Sequence, residues 1–184
     1  MKKRIWFTAL VLIFSGILFS CTASHEKMLT YEANQVGALG PYQIRTLSYD
    51  DGFSLTGLKE NYDTQGRFVV AEIEIVAMHS IDEGYGPLTI KAVDSAKREF
   101  ALYDASEDIA ERMKYESSEF MVRDDLLQAG EAKKAIFVFE LPRESLTKAL
   151  LITYQEESAM YSIDKARDGV NDLNICFDAT KCPY

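Results

Sequence analysis

The chain has 184 residues, with 20 Lys and Arg against 29 Asp and Glu, a formal charge of −9, and 47% apolar residues that include 10 Tyr and 10 Phe. That length accommodates one ordinary domain with extensions, and so many aromatics argue against intrinsic disorder. The acidic balance argues against a nucleic-acid binder, which needs basic residues to neutralise phosphates, and two His with three Cys leave few metal-based chemistries.

The first element is a leader. Lys2, Lys3 and Arg4 precede an apolar run from Ile5 to Phe19, too short for a comfortable membrane span and followed by no stop-transfer charges. It ends Leu18-Phe19-Ser20-Cys21 and resembles the bacterial lipoprotein signal, with an apolar residue three before the cysteine and a small one just before it. Phe19 is bulkier than the residue usual at its place. The resemblance implies cleavage after Ser20 and lipidation of Cys21, a diacylglyceryl thioether that holds the chain to a membrane. Cleavage leaves 17 basic against 29 acidic residues, a charge of −12, so the body should stand off anionic headgroups. The lipid implies the outer side of the cytoplasmic membrane, or an outer membrane facing the periplasm. Thr22 in place of Asp favours the latter where the host has two membranes.

Residues 21–38 read as a flexible tether, small and polar with no sustained periodicity, and His25 within it reads as solvated. The expected sandwich domain spans 39–184. Tyr42 to Leu47 alternates in character, Asp50-Asp51-Gly52 reads as a turn, and Phe53-Ser54-Leu55 follows. The clearest strand is Phe68 to Met78. Val69, Ala71, Ile73, Ile75 and Ala77 share one apolar face, with Glu72 and Glu74 expected to reach solvent on the other. Leu88 to Val93 and Glu99 to Tyr103 bracket the polar turn 94–97.

Residues 104–126 interrupt the rhythm as a charged excursion. Ser106 is placed to cap a short helix through Met113, with Glu107 and Asp108 favourable to its N-terminal dipole. Strand signals resume at Ala132 to Leu141, where both faces are apolar, so this strand is expected to be central; Pro142 ends it. Ala149 to Tyr154 is a further strand, and 158–184 is weakly patterned. Cys176 and Cys182 remain as an even pair in an exported chain, and their disulfide would close a small ring worth about 2.4 kcal/mol by chain entropy. The expected architecture is an all-β, antiparallel sandwich with one short helix in a long inter-strand loop.

Gly66-Arg67-Phe68-Val69-Val70-Ala71-Glu72-Ile73-Glu74-Ile75, then Leu127-Gln128-Ala129-Gly130-Glu131 and Ile136-Phe137-Val138-Phe139-Glu140-Leu141-Pro142, resemble a family of bacterial Ig-like extracellular domains of unknown function, often lipoproteins. The resemblance spans roughly 40–154 and implies a sandwich fold and a cell-envelope location, with no catalytic residues to transfer. Gly130 is expected at a positive-φ turn position. The chain departs from the family at 78–84, where an Asn and Gly are usual, and at Lys134 or Ala135, where a Gly is usual.

No catalytic constellation is legible. Outside the tether His79 is the only candidate base, and neither a G-x-S-x-G elbow nor an S-x-x-K motif is present. The abundance of carboxylates makes a glycosidase pair uninformative. Asp50-Asp51, Asp82-Glu83 and Asp124-Asp125 could hold calcium, but they do not match the twelve-residue loop pattern and read first as solvated turns. Tyr62 and Tyr85, each in a Gly- or Asp-containing loop, are candidate recognition anchors. The expectation is a non-enzymatic tethered module that binds an envelope or extracellular protein, without metal or cofactor. The alternative is an enzyme or ligand-binding lipoprotein acting on an envelope polymer through carboxylates of the excursion.

Overall fold

The computed structural model describes residues 28–163; the leader, Cys21 and the Cys176–Cys182 pair lie outside the described residues. The elements are β1 (Leu29–Tyr31), β2 (Gly37–Leu39), β3 (Tyr42–Thr56), β4 (Asn61–Ala77), β5 (Leu88–Asp94), β6 (Glu99–Phe100), α1 (Ser106–Glu116), β7 (Ala132–Leu141), β8 (Thr147–Tyr154) and β9 (Glu157–Ser162). Two sheets form, one ordered β1-β9-β8-β5-β6 and the other β2-β3-β4-β7. Pairing is antiparallel except for β1 alongside β9. This is the expected β-sandwich with one short helix.

The period-two pattern builds the interior. Val69, Ala71, Ile73, Ile75 and Ala77 of β4 all face the main core, together with Ala135, Phe137, Phe139 and Leu141 of β7 and Ile90, Leu150 and Ile152 from the opposite sheet. Each large side chain so buried contributes about 1.5–3 kcal/mol. The Thr46 hydroxyl donates to the Ser162 carbonyl at 3.0 Å, tying one sheet to the other.

The second face of β4 departs from expectation. Phe68 and Val70 join Leu55, Ile136, Val138, Ile109 and Met113 in a smaller apolar cluster beneath α1. Glu72 is buried rather than solvated; Ser48 donates to it at 3.3 Å and Lys134 pairs with it at 3.5 Å. Likewise β7 is an edge strand, not a central one. Its second apolar face exists because a helix covers it.

The excursion also closes the β7 edge. The Lys134 N–H donates to the Glu119 carbonyl and the Met121 N–H to the Lys134 carbonyl, at 2.9 and 2.8 Å, while the Tyr103 N–H donates to the Val138 carbonyl at 2.8 Å. Ser106 does not cap α1: the cap position is Ala105, without a side-chain hydrogen bond. The Ser106 hydroxyl instead accepts the Val138 N–H at 3.0 Å. An open strand edge invites pairing with other chains, and this one is blocked by the chain's own loop.

Other boundaries move. Asp50-Asp51-Gly52 is no turn; β3 runs through it with pairing shifts at Thr46/Ser48 and Gly52/Ser54, because Asp51 is held against Arg67 of β4. The tether ends earlier than expected, since β1 and β2 already belong to the sheets. Tyr31 stacks on Tyr161 with ring centroids 5.0 Å apart, and Gly37 leaves the space both rings occupy. β9, unexpected in the weakly patterned tail, buries Ala159 and Tyr161.

Because β1 lies parallel to β9, with Leu29 beside Ala159, the chain enters at the end that carries the β8–β9 turn. The β2–β3 turn lies at this entry end too, its Gly40 N–H donating to Glu157 at 3.1 Å. At the far end β3 and β4 stay paired out to Thr56 and Asn61, whereas β7 stops pairing at Arg67–Leu141. The β3–β4 hairpin therefore overhangs its sheet.

Candidate functional site

The overhang is braced by three side chains of α1, Asp108 foremost. Asp108 accepts the Lys59 N–H at 3.2 Å and the Tyr62 hydroxyl at 3.0 Å, while the Lys59 ammonium pairs with Glu111 at 2.9 Å. Arg112 donates to the Thr56 carbonyl at 2.8 Å and pairs with Glu116. Tyr62, expected in a loop, lies instead within β4 opposite Leu55 and is half-buried, its ring edge-on to Tyr103 at 6.2 Å. Burial, then the hydrogen bond to Asp108, raises its phenol well above the ordinary tyrosine range. Its hydroxyl is a brace rather than a free recognition group.

The side chains offered to solvent at this end are others. Leu58, beside Lys59, is 47% exposed, and Tyr115, one helical turn beyond Glu111, is 83% exposed. Leu58 is next in sequence to Lys59 and Tyr115 is four residues on from Glu111, so each exposed apolar group lies on one of the two elements that this ion pair joins. Nothing in the sequence marks them, because their shared end follows only from α1 packing beside the β3–β4 hairpin.

Tyr85 is corrected. It lies in the core at 7% exposure, in edge contact with Phe137 at 5.1 Å, and burial raises its phenol. The flanking glycines mark a tight passage, with Gly84 at φ +54° and its carbonyl accepting the Tyr42 hydroxyl at 2.9 Å. A glycine-flanked tyrosine here is a packed side chain beneath a turn, not an anchor on its surface.

At the entry end Met28, Leu29, Ala38 and Leu39 line a cleft of about 400 Å³ with Glu156 and Glu157. Its lining is more apolar than polar, and Glu157 already accepts the Gly40 N–H. Such a cleft can hold an apolar group; Ser158 also lines it, its hydroxyl hydrogen-bonded to that of Thr153 at 2.9 Å. His79 is exposed just beyond β4. Among the described residues no three His, Cys, Asp or Glu side chains converge as metal ligands. Asp51 pairs with Arg67, and Asp125 pairs with Lys114 while accepting the Val122 N–H, so two of the acidic pairs considered for calcium are partly engaged.

Most carboxylates of the excursion are engaged as well. Asp108, Glu111, Glu116, Glu119 and Asp125 each face a basic side chain. Lys134 is held protonated to unusually high pH, first by its hydrogen bond to Glu119 and also by Glu72.

No family model matches the chain, and no curated protein matches it. Solved structures do. They include the secreted protein MPT63 of Mycobacterium tuberculosis (TM-score 0.54, 9% identity, 74% of this chain and 98% of that one) and a conserved hypothetical protein of Bacillus anthracis (0.51, 13%, 71% and 94%). An uncharacterized β-sandwich protein of Clostridium difficile 630 aligns at 0.48 and 12%, over 75% and 97%. At these identities the likeness establishes a fold: the chain is a β-sandwich. The resemblance read from its strands holds at that level.

Proposed function

We propose that this chain is a cell-envelope lipoprotein, tethered through Cys21, whose sandwich acts as a non-enzymatic interaction module for an envelope or extracellular protein. The observation that carries this reading is the two-ended geometry. The chain enters at one end, and a hairpin braced by α1 projects from the other with Leu58 and Tyr115 exposed. An exposed tyrosine and leucine on the two elements that the Lys59–Glu111 pair joins suit protein recognition, where aromatic anchors dominate binding energy. The secreted neighbour from Mycobacterium tuberculosis is consistent with an exported chain. The polymer-acting alternative draws less support from the excursion, where Asp108, Glu111, Glu116, Glu119 and Asp125 all face basic partners.

The test is photo-crosslinking in intact cells from positions 58 and 115, with mass spectrometry of the membrane fraction. A recurrent protein captured from both positions supports the module. A mature chain acylated at Cys21 that captures no protein from either position overturns the protein-binding part, and an unacylated chain overturns the tether.

A further inference from the structure

Four of the exposed large apolar side chains gather at the entry end. Met28 and Leu29, 49% and 54% exposed, stand where the chain joins β1. Met78 is 54% exposed, with its N–H donated to the Pro41 carbonyl beside the β2–β3 turn. Leu126, 51% exposed, precedes Leu127, which bridges to Ile81 just past β4. Around them stand exposed Asp82, Glu83, Asp124, Glu156 and Glu157, with Arg123 as a basic neighbour.

Met28 is seven steps along the chain from Cys21, and a fully extended chain of that length spans at most about 25 Å. On the reading that Cys21 carries the lipid, no arrangement of the tether can hold this end farther than that from the bilayer surface. We infer that the entry end rests on a lipid surface of zwitterionic headgroups, with Met28, Leu29, Met78 and Leu126 as the contacting side chains. The carboxylate ring selects the headgroup. Anionic lipids repel it across a Debye length of about 8 Å at physiological ionic strength, whereas zwitterionic ones do not. Docking in this way would turn the β3–β4 overhang away from the membrane, towards a soluble or opposing partner.

The only tryptophan, Trp6, lies in the leader, so the cleaved protein offers a dark background for a single indole. The mature acylated chain carrying Met78→Trp, and separately Leu58→Trp at the far end, is bound to phosphatidylcholine vesicles containing a lipid with a spin-labelled headgroup. Both positions are solvent-exposed, and circular dichroism checks the fold. The expected result is severalfold stronger quenching at position 78 than at 58, reduced by added phosphatidylglycerol and restored by salt. Equal quenching at the two positions overturns the inference. So does an indole at 78 that is shielded in proportion to protein concentration and not to lipid, since a second copy would then be the occupant. Mass spectrometry of the Cys21 peptide separates the two failures: an unacylated cysteine defeats the tether itself, and an acylated one with unquenched indole defeats only the orientation.

Discussion

The two faces of the β2-β3-β4-β7 sheet are buried by different means. The inner face meets another sheet, and its cluster extends from Leu39 to Ile163 with contributions from both layers. The outer face meets α1 and the chain around it, a patch of Leu55, Phe68, Val70, Ile136 and Val138 against Ile109 and Met113. The first is mainly apolar packing, with the Thr46–Ser162 hydrogen bond between the layers. The second is held in register by polar ties: Asp108 to the hairpin, Ser106 to Val138, and Lys134 to Glu72 and Glu119. An eleven-residue helix is marginal by itself, so its place on the sheet depends on those ties together with its buried stripe.

The largest expected contrast comes from truncating one side chain in each layer. Phe137→Ala should cost about 3–5 kcal/mol and lower the unfolding midpoint equally by every probe, because the inner core is shared by both sheets. Ile109→Ala should cost about 2–4 kcal/mol, with hydrogen exchange accelerating in 102–121 before the strands respond. Uniform acceleration would show that the outer layer is no separate unit. Ser106→Ala tests the edge directly. It leaves the Val138 N–H without its partner, an expected loss of about 1–3 kcal/mol, with faster exchange at Val138 and increased self-association on sedimentation. If association is unchanged, the excursion does not guard the edge.

That contrast also marks what was legible in the sequence. The inner face of β4 could be read because apolar residues, three of them β-branched, alternate from Val69 to Ala77 with one meaning for each parity. The outer face misled for the same reason: Glu72 on that parity looked solvated, and the burial of Phe68 and Val70 depended on a helix more than thirty residues away. β9 went unread because its turn uses Gln155, a non-glycine at φ +52°, in place of an Asn-Gly signal, although Ala159, Tyr161 and Ile163 alternate as buried residues. β1 is three residues long and is ordered by tertiary stacking of Tyr31. Of the candidate site residues, Tyr62 reads as a loop residue beside Asn61 and Asp63 yet lies in β4, because the β3–β4 pairing runs on to Asn61, and Tyr85 reads as exposed because glycine marks both exposed loops and tight passages over a core.

Two glycines sharpen the comparison at smaller magnitude. At Gly37 a Cβ would lie 2.5 Å from the Tyr31 ring and 2.8 Å from Tyr161, so Gly37→Ala should displace the stack and cost about 1–3 kcal/mol. At Gly130, as its position before β7 suggested, φ is +75° and nothing lies within 4 Å of a built Cβ. Gly130→Ala should therefore cost only the backbone strain of about 1–2 kcal/mol, and Gly130→Asn should recover part of it. Urea denaturation of the three variants separates crowding from conformation.

The smallest effects separate the two ends by pH. At the far end burial pushes the Asp94 carboxyl up, but the Arg98 N–H, the Arg98 guanidinium and the Ala96 N–H draw it down further, so it lies below its ordinary value of 3.8. A depressed acid contributes stability that is present above its ordinary value and lost as pH falls through the depressed one. At the entry end Tyr42 is pushed up to about 12, first by burial and then by Tyr154 and Glu83. The neutral phenol is the favoured form, so its contribution is intact below its ordinary value of 10.0 and is lost as pH rises towards 12. Melting temperature against pH should accordingly fall at both extremes for different residues. Asp94→Asn should flatten the acid limb and leave the alkaline one, while Tyr42→Phe, which also forfeits the hydrogen bond to Gly84, should lower the whole curve yet soften its alkaline limb. Parallel acid limbs for the parent and Asp94→Asn would mean that the Arg98 contacts do not discriminate the carboxylate from its amide.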